Sequence, residues 1–218
     1  MGAPSDVSRI DLARGTPHIG LMAILKIARM GHPVLGVRAE EVPDPTSRDV
    51  RQLVEDMFET LADISGAGLA APQVHVSKRV VIFAAPKDRN EEPDGPETDF
   101  SPMTVLVNPQ WQPLSDEMAI GWEGCLSVPG LTGAVARHTH IRYRGFTPKG
   151  QPVEREATGF HARVFQHEFD HLDGILYPQR MDDLSLLVFT EEARRFGLPE
   201  IAVDDEADDE VDDAREAG

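Results

Sequence analysis

The chain has 218 residues, of which 40% are hydrophobic, and its formal net charge at pH 7 is −17. This length and apolar content suffice for one buried core, so a second domain is not required. No apolar run approaches the length of a membrane span, and an acidic chain repels nucleic-acid phosphates, so we expect neither a membrane nor DNA as a partner.

The first predicted element is an amphipathic helix. Apolar residues recur at helical spacing between Val50 and Ile64, and Thr46 and Ser47 are candidates for the residue that caps its start. A glycine-rich block at residues 66–73 follows this helix. Because phosphate-binding loops follow a strand and open a helix, the order predicts that these glycines end the helix and do not bind phosphate.

Strands are predicted between this helix and a second one near residue 167. Their apolar or alternating segments are residues 79–84, 104–108, 118–122, 134–143 and 152–157. The last two are expected to form a hairpin around the turn at residues 147–150. The stretch from 86 to 102 is polar and rich in proline, and predicts a mobile loop. Helices and strands together indicate an α+β fold.

The chain contains a single cysteine, Cys125, in the sequence Glu-Gly-Cys-Leu-Ser at residues 123–127. One thiol cannot form an internal disulfide, so it serves either packing or chemistry. The turn at residues 127–130 suits a strand end that projects the thiol into a cleft. A thiolate metal ligand favours a reducing compartment, so we expect a cytoplasmic protein.

The most informative motif is His-Glu-Phe-Asp-His at residues 167–171. On a helix, residues four apart lie about 40° from each other, so one ion can meet both His167 and His171. Neutral imidazole suits Zn or Fe, and Glu168 is placed to take a proton from a water that the cation makes more acidic. The flanking residues are apolar on the opposite side of the helix, which predicts a central helix.

A catalytic ion of this kind usually has three protein ligands, so a third must be found. Tyr177 stands where a metzincin would have its last histidine, which excludes that pattern. Glu191 or Glu192 lies at roughly the distance at which thermolysin-like peptidases place a glutamate. Cys125 is the other candidate, and the residues alone leave the choice open.

Three blocks occur in the order that characterises one known family. Residues 66–73, 123–127 and 166–172 resemble the three signature motifs of peptide deformylase, and the resemblance extends from about residue 22 to about residue 181. It implies an α+β fold in which antiparallel sheets wrap around a central helix that contains the HExxH motif. The implied enzyme is a metal-dependent hydrolase of bacterial cytoplasm that removes the N-formyl group from the N-terminal methionine of nascent polypeptides and releases formate.

The resemblance also implies roles for individual residues. Cys125, His167 and His171 would hold Fe²⁺, for which Zn²⁺, Ni²⁺ or Co²⁺ can substitute. Glu168 would transfer the proton from water to the departing amine. The side-chain amide of Gln73 and the backbone N–H of Leu126 would donate to the developing oxyanion. The residues expected to line the substrate cleft are Gly66, Gly68, Gly124, Phe160 and Val164.

Three polar neighbours on the same helix have less defined roles. Arg163 lies one turn before His167 and is expected either to pair with a carboxylate or to contact the substrate. Gln166 and Asp170 are candidates for orienting a metal ligand. Two other functions stay possible at this point: a thermolysin-like zinc peptidase, and a non-catalytic metal-stabilised binding protein with the same fold.

The two ends differ from the family pattern. Residues 1–21 are predicted to be a dispensable extension before a catalytic domain at 22–199. Residues 200–218 contain ten acidic side chains and one arginine, and predict a disordered tail. Some members of the family are thought to contact the ribosome through a basic C-terminal helix, and this acidic tail opposes such a mode of contact.

Overall fold

A computed structural model of the protein describes residues 23–64, 66–86 and 100–201. The predicted extension at 1–21, most of the predicted loop at 86–102 and nearly all of the predicted tail lie outside these residues. The division of the chain into segments 1–21, 22–199 and 200–218 therefore stays a prediction. The helices are α1 (Arg48–Ile64), α2 (Gly159–Leu172) and α3 (Thr190–Phe196). The strands are β1 (Gly68–Ala70), β2 (Val80–Ala85), β3 (Ser101–Pro113), β4 (Met118–Cys125), β5 (Val128–His138), β6 (His140–Phe146), β7 (Pro152–Thr158) and β8 (Val188–Phe189).

The strands form two antiparallel sheets. The larger sheet has the order β1-β2-β3-β6-β7, and the smaller one has the order β4-β5-β8. The predicted hairpin is confirmed, because β6 and β7 pair from Phe146 opposite Pro152 to His140 opposite Thr158. All neighbours are joined antiparallel, so short turns suffice for most connections.

Strand β2 separates two parts of the core. Because side chains alternate along a strand, Val81 and Phe83 face one side while Val80 and Ile82 face the other. The first pair joins a cluster with residues of α2, and the second pair joins a cluster with residues of α1. All four side chains are fully buried. The two helices therefore cover opposite faces of the larger sheet.

Helix α1 agrees closely with its prediction. It begins at Arg48, directly after Ser47, whose Oγ accepts the Val50 N–H at 3.4 Å. It ends at Ile64, just before the glycine-rich block, as the sequence indicated. In the part of the chain that the structure describes, no helix combines the length and apolar character needed to cross a membrane.

The predicted strand at 134–143 is wrong in one respect. It consists of the end of β5 and the start of β6, which belong to different sheets. Thr139 separates them, donating its N–H to the Glu117 carbonyl and accepting the Gly159 N–H. The residues on both sides are equally compatible with a strand, so nothing in the local sequence signals the passage from one sheet to the other. Strand β3 is longer than its predicted core and has a register shift between Val107 and Gln110.

The segment before α1 connects the glycine-rich block with the cysteine block. The Ala28 N–H donates to the Gln73 carbonyl at 2.7 Å, and the Met30 N–H donates to the Ser127 carbonyl at 2.7 Å. The Leu25 N–H donates to Thr60 Oγ1 on α1 at 2.8 Å. This segment therefore fixes the distance between two blocks that are more than fifty residues apart in the chain.

Helix α2 lies between the sheets and contains the HExxH motif. Its apolar side packs on the larger sheet, where the rings of Phe165 and Tyr143 stack with centroids 4.5 Å apart. Its other side presents His167, Glu168 and His171, all of them buried. The predicted α+β fold with sheets around a central HExxH helix is confirmed.

Candidate metal and substrate site

The end of strand β4 and the buried side of α2 bring three potential metal ligands together. The ligand atoms of Cys125, His167 and His171 all lie within 4.8 Å of one another. Cys125 Sγ is 3.4 Å from His171 Nε2, and two ligands of one tetrahedral ion are roughly 3.5 Å apart. Burial lowers the pKa of His171 well below its ordinary value, which keeps the ring neutral and able to bind a cation. The donor set therefore fits a divalent ion.

Glu123 orients the first histidine. Its Oε2 accepts a hydrogen bond from His167 Nδ1 at 2.8 Å, which leaves Nε2 of that ring for a metal. Burial opposes ionisation of Glu123, but hydrogen bonds from Arg137 and His167 outweigh it and lower the pKa of Glu123 well below its usual range. Arg137 binds both carboxylate oxygens at 2.9 Å. Glu123 is thus held in its charged form, which accepts the Nδ1–H of His167 and fixes the orientation of that ring.

The network continues along α2. Asp170 accepts hydrogen bonds from Arg137 at 2.5 Å and from Arg180 at 2.7 Å. Asp170 therefore fixes the position of Arg137, the arginine that binds Glu123. Arg163 donates to Glu123 Oε1 at 3.0 Å, which agrees with the expectation that it pairs with a carboxylate. Gln166 bonds the backbone of His138 and no metal ligand, so its expected orienting role is wrong.

Glu123 and Arg137 were not assigned a role from the sequence. Glu123 stands in the cysteine block, two residues before the thiol, and this position was its only signal. Arg137 lies on β5, far from every motif in sequence. Both are at most 6% exposed, and a buried charge with a full set of partners marks a functional network only after the fold is known.

Glu168 faces the same site from the next position on α2. Burial raises the pKa of Glu168 to about 7, a value suited to a group that accepts and releases a proton near neutral pH. Its Oε2 is buried and has no hydrogen-bond partner among the described residues. A buried carboxylate oxygen without a partner is costly, and a reacting water would remove that cost.

Gln73 reaches the site from a 3-10 turn, Ala71–Val74, that follows β1. Its Oε1 accepts the Ala70 N–H at 2.8 Å, which fixes the orientation of the amide. Its Nε2 then points to Cys125 Sγ at 3.5 Å and to Ser127 Oγ at 3.3 Å. Leu126 follows Cys125 directly and also faces the site.

A cavity of about 620 Å³ opens in front of these groups. Its walls come from the glycine-rich block, from the end of β4 with the following turn, from α2 and from α3. Every predicted site residue except His171 lines it, and His171 lies behind them with 1% exposure. The predicted residues on its walls are Gly66, Gly68, Gln73, Gly124, Cys125, Leu126, Phe160, Val164, His167 and Glu168.

The other predicted third ligands are placed differently. Glu191 and Glu192 lie in the first turn of α3 and are exposed. Among the described residues, the group that could hold a metal ion consists of Cys125 and the two histidines.

Gly68 lies so close to the Glu168 side chain that no larger residue fits there, which the sequence did not predict. A Cβ atom at this position would lie 2.4 Å from Glu168 Oε1 and 2.7 Å from Cγ and Cδ of the same side chain. The missing side chain therefore makes room for the carboxylate. The sequence suggested that glycine lets a peptide approach, and that role stays a prediction.

We expect Gly68→Ala to lower kcat for formate release at least tenfold, because Glu168 must leave its position. Metal content should be unchanged, since the three atoms nearest to the added Cβ all belong to Glu168 and none to a metal ligand. Gly36→Ala is the matched control, because no heavy atom lies within 4 Å of its added Cβ, its backbone is not in the left-handed region, and Gly36 does not line the cavity. Equal turnover in Gly68→Ala and the original protein would contradict this account of the close contact.

Comparison with known proteins decides the family. The family model for polypeptide deformylase matches residues 24–186. Peptide deformylase 1 of Bordetella pertussis is 54% identical over 166 residues, which cover 76% of this chain and 92% of that protein. Peptide deformylase 2 of Ralstonia nicotianae is 51% identical over 169 residues, covering 77% and 93% of the two chains. This chain belongs to the peptide deformylase family.

Solved structures agree with this membership. A Met-Ala-Ser-bound crystal structure of class I type b peptide deformylase from Acinetobacter baumannii has a TM-score of 0.66 at 39% identity, covering 74% of this chain and all 100% of that one. The peptide deformylase of Ehrlichia chaffeensis in complex with actinonin has a TM-score of 0.67 at 34% identity, covering 75% and 92%.

Family membership confirms the main functional prediction. The chain is a deformylase, an enzyme that removes the N-formyl group from N-terminal methionine. A thermolysin-like peptidase and a non-catalytic binding protein are the less supported alternatives. The family is metal-dependent, and the described residues include a group suited to a metal ion.

Proposed function

We propose that this deformylase holds Fe²⁺ through Cys125, His167 and His171, and that Zn²⁺, Ni²⁺ or Co²⁺ can substitute. The observation that supports this most is the convergence of one thiol and two imidazoles within 4.8 Å, beside a buried carboxylate and at the wall of a cavity. Thiolate and imidazole together accept several divalent ions, so availability selects among them.

The proposed chemistry depends on the residues around the ion. A bound divalent ion lowers the pKa of water and polarises the formyl oxygen. Glu168 accepts the proton of the water whose oxygen adds to the formyl carbon. The Gln73 amide and the Leu126 N–H donate to the oxygen that becomes negative. When the C–N bond breaks, Glu168 gives its proton to the amine, and the formic acid that remains loses its own proton and leaves as formate.

The cavity walls suggest how the substrate lies. We assign the side chain of the formylated methionine to the wall formed by Phe160 and Val164, both of which line the cavity from α2. Gly66, Gly68 and Gly124 line the cavity without side chains, which lets an extended backbone approach closely. The proposed substrates are nascent N-formylmethionyl polypeptides.

Formate release from formyl-Met-Ala-Ser tests the proposal. The purified protein, loaded anaerobically with Fe²⁺ or with Ni²⁺, is expected to release formate. Cys125→Ser should lose metal-dependent turnover, because the thiolate is replaced by a weak neutral ligand. Glu191→Gln and Glu192→Gln are the matched controls and should retain it. Loss of turnover in either glutamine variant with retention in Cys125→Ser would favour the thermolysin-like alternative.

The cellular setting belongs to the same proposal. Formylated nascent chains arise in bacterial cytoplasm, and we place the enzyme there. Ribosome contact through a basic C-terminal helix is poorly supported by α3, where Glu191 and Glu192 offset Arg194 and Arg195. Residues 200–218 add further negative charge.

A further inference from the structure

Helix α3 forms one wall of the cavity, and strand β8 determines where this helix starts. β8 pairs with β5 so that Phe189 lies opposite Leu131, and α3 begins at the next residue. Thr190 thereby becomes part of the cavity wall that also contains the turn after Cys125. Arg194 comes four residues later, about 40° away on the helix surface, and both side chains line the cavity.

Arg194 differs from the other charged groups in this cavity. Glu123 and Glu168 are at most 6% exposed. Arg163 donates to Glu123 and to the carbonyls of Ala119, Gly121 and Val135, so its donors are occupied. Arg194 is exposed and forms no hydrogen bond or ion pair with the described residues. The accessible charge on the cavity wall is therefore positive, on a chain whose net charge is −17.

The neighbouring arginine provides a contrast. Arg195 lies over the ring of Phe196, with its guanidinium carbon 4.9 Å from the ring centroid, and it does not line the cavity. Two adjacent arginines of the same short helix thus have different surroundings. This difference supplies a matched pair for an experiment.

We infer that Arg194 is a specificity-determining residue that binds an acidic side chain in the substrate, at one of the positions after the formylated methionine. The inference rests on the proposed function, because the formyl group must lie at Cys125 and Glu168 for the rest of the peptide to pass along the cavity. Guanidinium and carboxylate match in charge and geometry, and a contact at an exposed rim changes selectivity more than overall affinity.

The test compares peptides that differ in one charge. Formyl-Met peptides of five residues, amidated at the C-terminus to remove the terminal carboxylate, contain either Glu or Gln at position 2, 3, 4 or 5. The ratio of kcat/KM for the Glu peptide to that for the Gln peptide is measured for the original protein, Arg194→Gln and Arg195→Gln. Both peptides are assayed with the same preparation, so the ratio does not depend on how much metal that preparation contains.

The original protein and Arg195→Gln are expected to show a ratio of roughly two to five at one position, the size of an exposed ion pair, and the ratio should fall as salt is raised. Arg194→Gln should give a ratio near one, and Arg194→Glu a ratio below one. A ratio near one at every position in the original protein, or an unchanged ratio in Arg194→Gln, overturns the inference. Absence of turnover with the Gln peptides as well would overturn the proposed function, and this inference with it.

Discussion

Glu168→Ala is expected to lower kcat for formate release by roughly 10²- to 10⁴-fold, the contribution of a positioned proton-transfer group. The Glu168 carboxylate has a buried oxygen without a hydrogen-bond partner, whereas the other buried carboxylate at the site, Glu123, is held in its charged form by hydrogen bonds from Arg137 and His167. The variant should still bind one metal ion per chain, since Glu168 is not among the three converging ligands.

Two measurements distinguish this result from unfolding. Metal content and thermal unfolding of Glu168→Ala should match those of the original protein, while formate release is lost. Glu191→Gln controls for removal of a carboxylate outside the cavity. Turnover by Glu168→Ala within tenfold of the original protein would show that another group transfers the proton.

The second large effect concerns Glu123, whose removal should reduce both stability and metal affinity. Glu123→Gln breaks a buried ion pair in which the side chains of Glu123 and Arg137 are 4% and 5% exposed. We expect the free energy of unfolding to fall by about 3 kcal/mol, the lower end for such a change, because Arg137 keeps Asp170 as a partner. Metal affinity should fall roughly 10- to 100-fold, since His167 loses the carboxylate that orients it.

Glu156→Gln is the matched control for this experiment. Glu156 also pairs with an arginine, Arg142, but both side chains are about 40% exposed, at 43% and 40%. Solvent weakens such a pair, so denaturant unfolding and metal affinity should not change measurably. Equal stability of the two variants would mean that the Glu123 network does not stabilise the fold.

The motifs made the site largely predictable. Three short blocks in the right order indicated the family, and the i, i+4 spacing of His167 and His171 placed two ligands on one side of a helix. Helix α1 was also predictable, because its apolar period and the cap at Ser47 are local signals. In each case the information lies within a few residues of the feature it describes.

The rest depends on contacts between distant parts of the chain. β5 and β6 belong to different sheets and are separated at Thr139. The sequence on both sides of Thr139 is typical of a strand, so the local pattern does not indicate this separation. The approach of Arg137 to Glu123 requires the pairing of β4 with β5. The presence of Arg194 at the cavity wall requires the short pairing of β8 with β5. None of these follows from spacing or propensity alone.

The two bonds from the segment before α1 have a mechanical meaning for the enzyme. The Ala28 N–H donates to the carbonyl of Gln73 in the glycine-rich block, and the Met30 N–H donates to the carbonyl of Ser127 in the cysteine block. Gln73, the proposed oxyanion donor, and the block that contains Cys125 are thus tied to one segment by residues that do not line the cavity. A substitution or a fused tag that weakens these two hydrogen bonds would let the glycine-rich block and the cysteine block move apart. Turnover would then slow, although none of the residues proposed to take part in the chemistry has been changed.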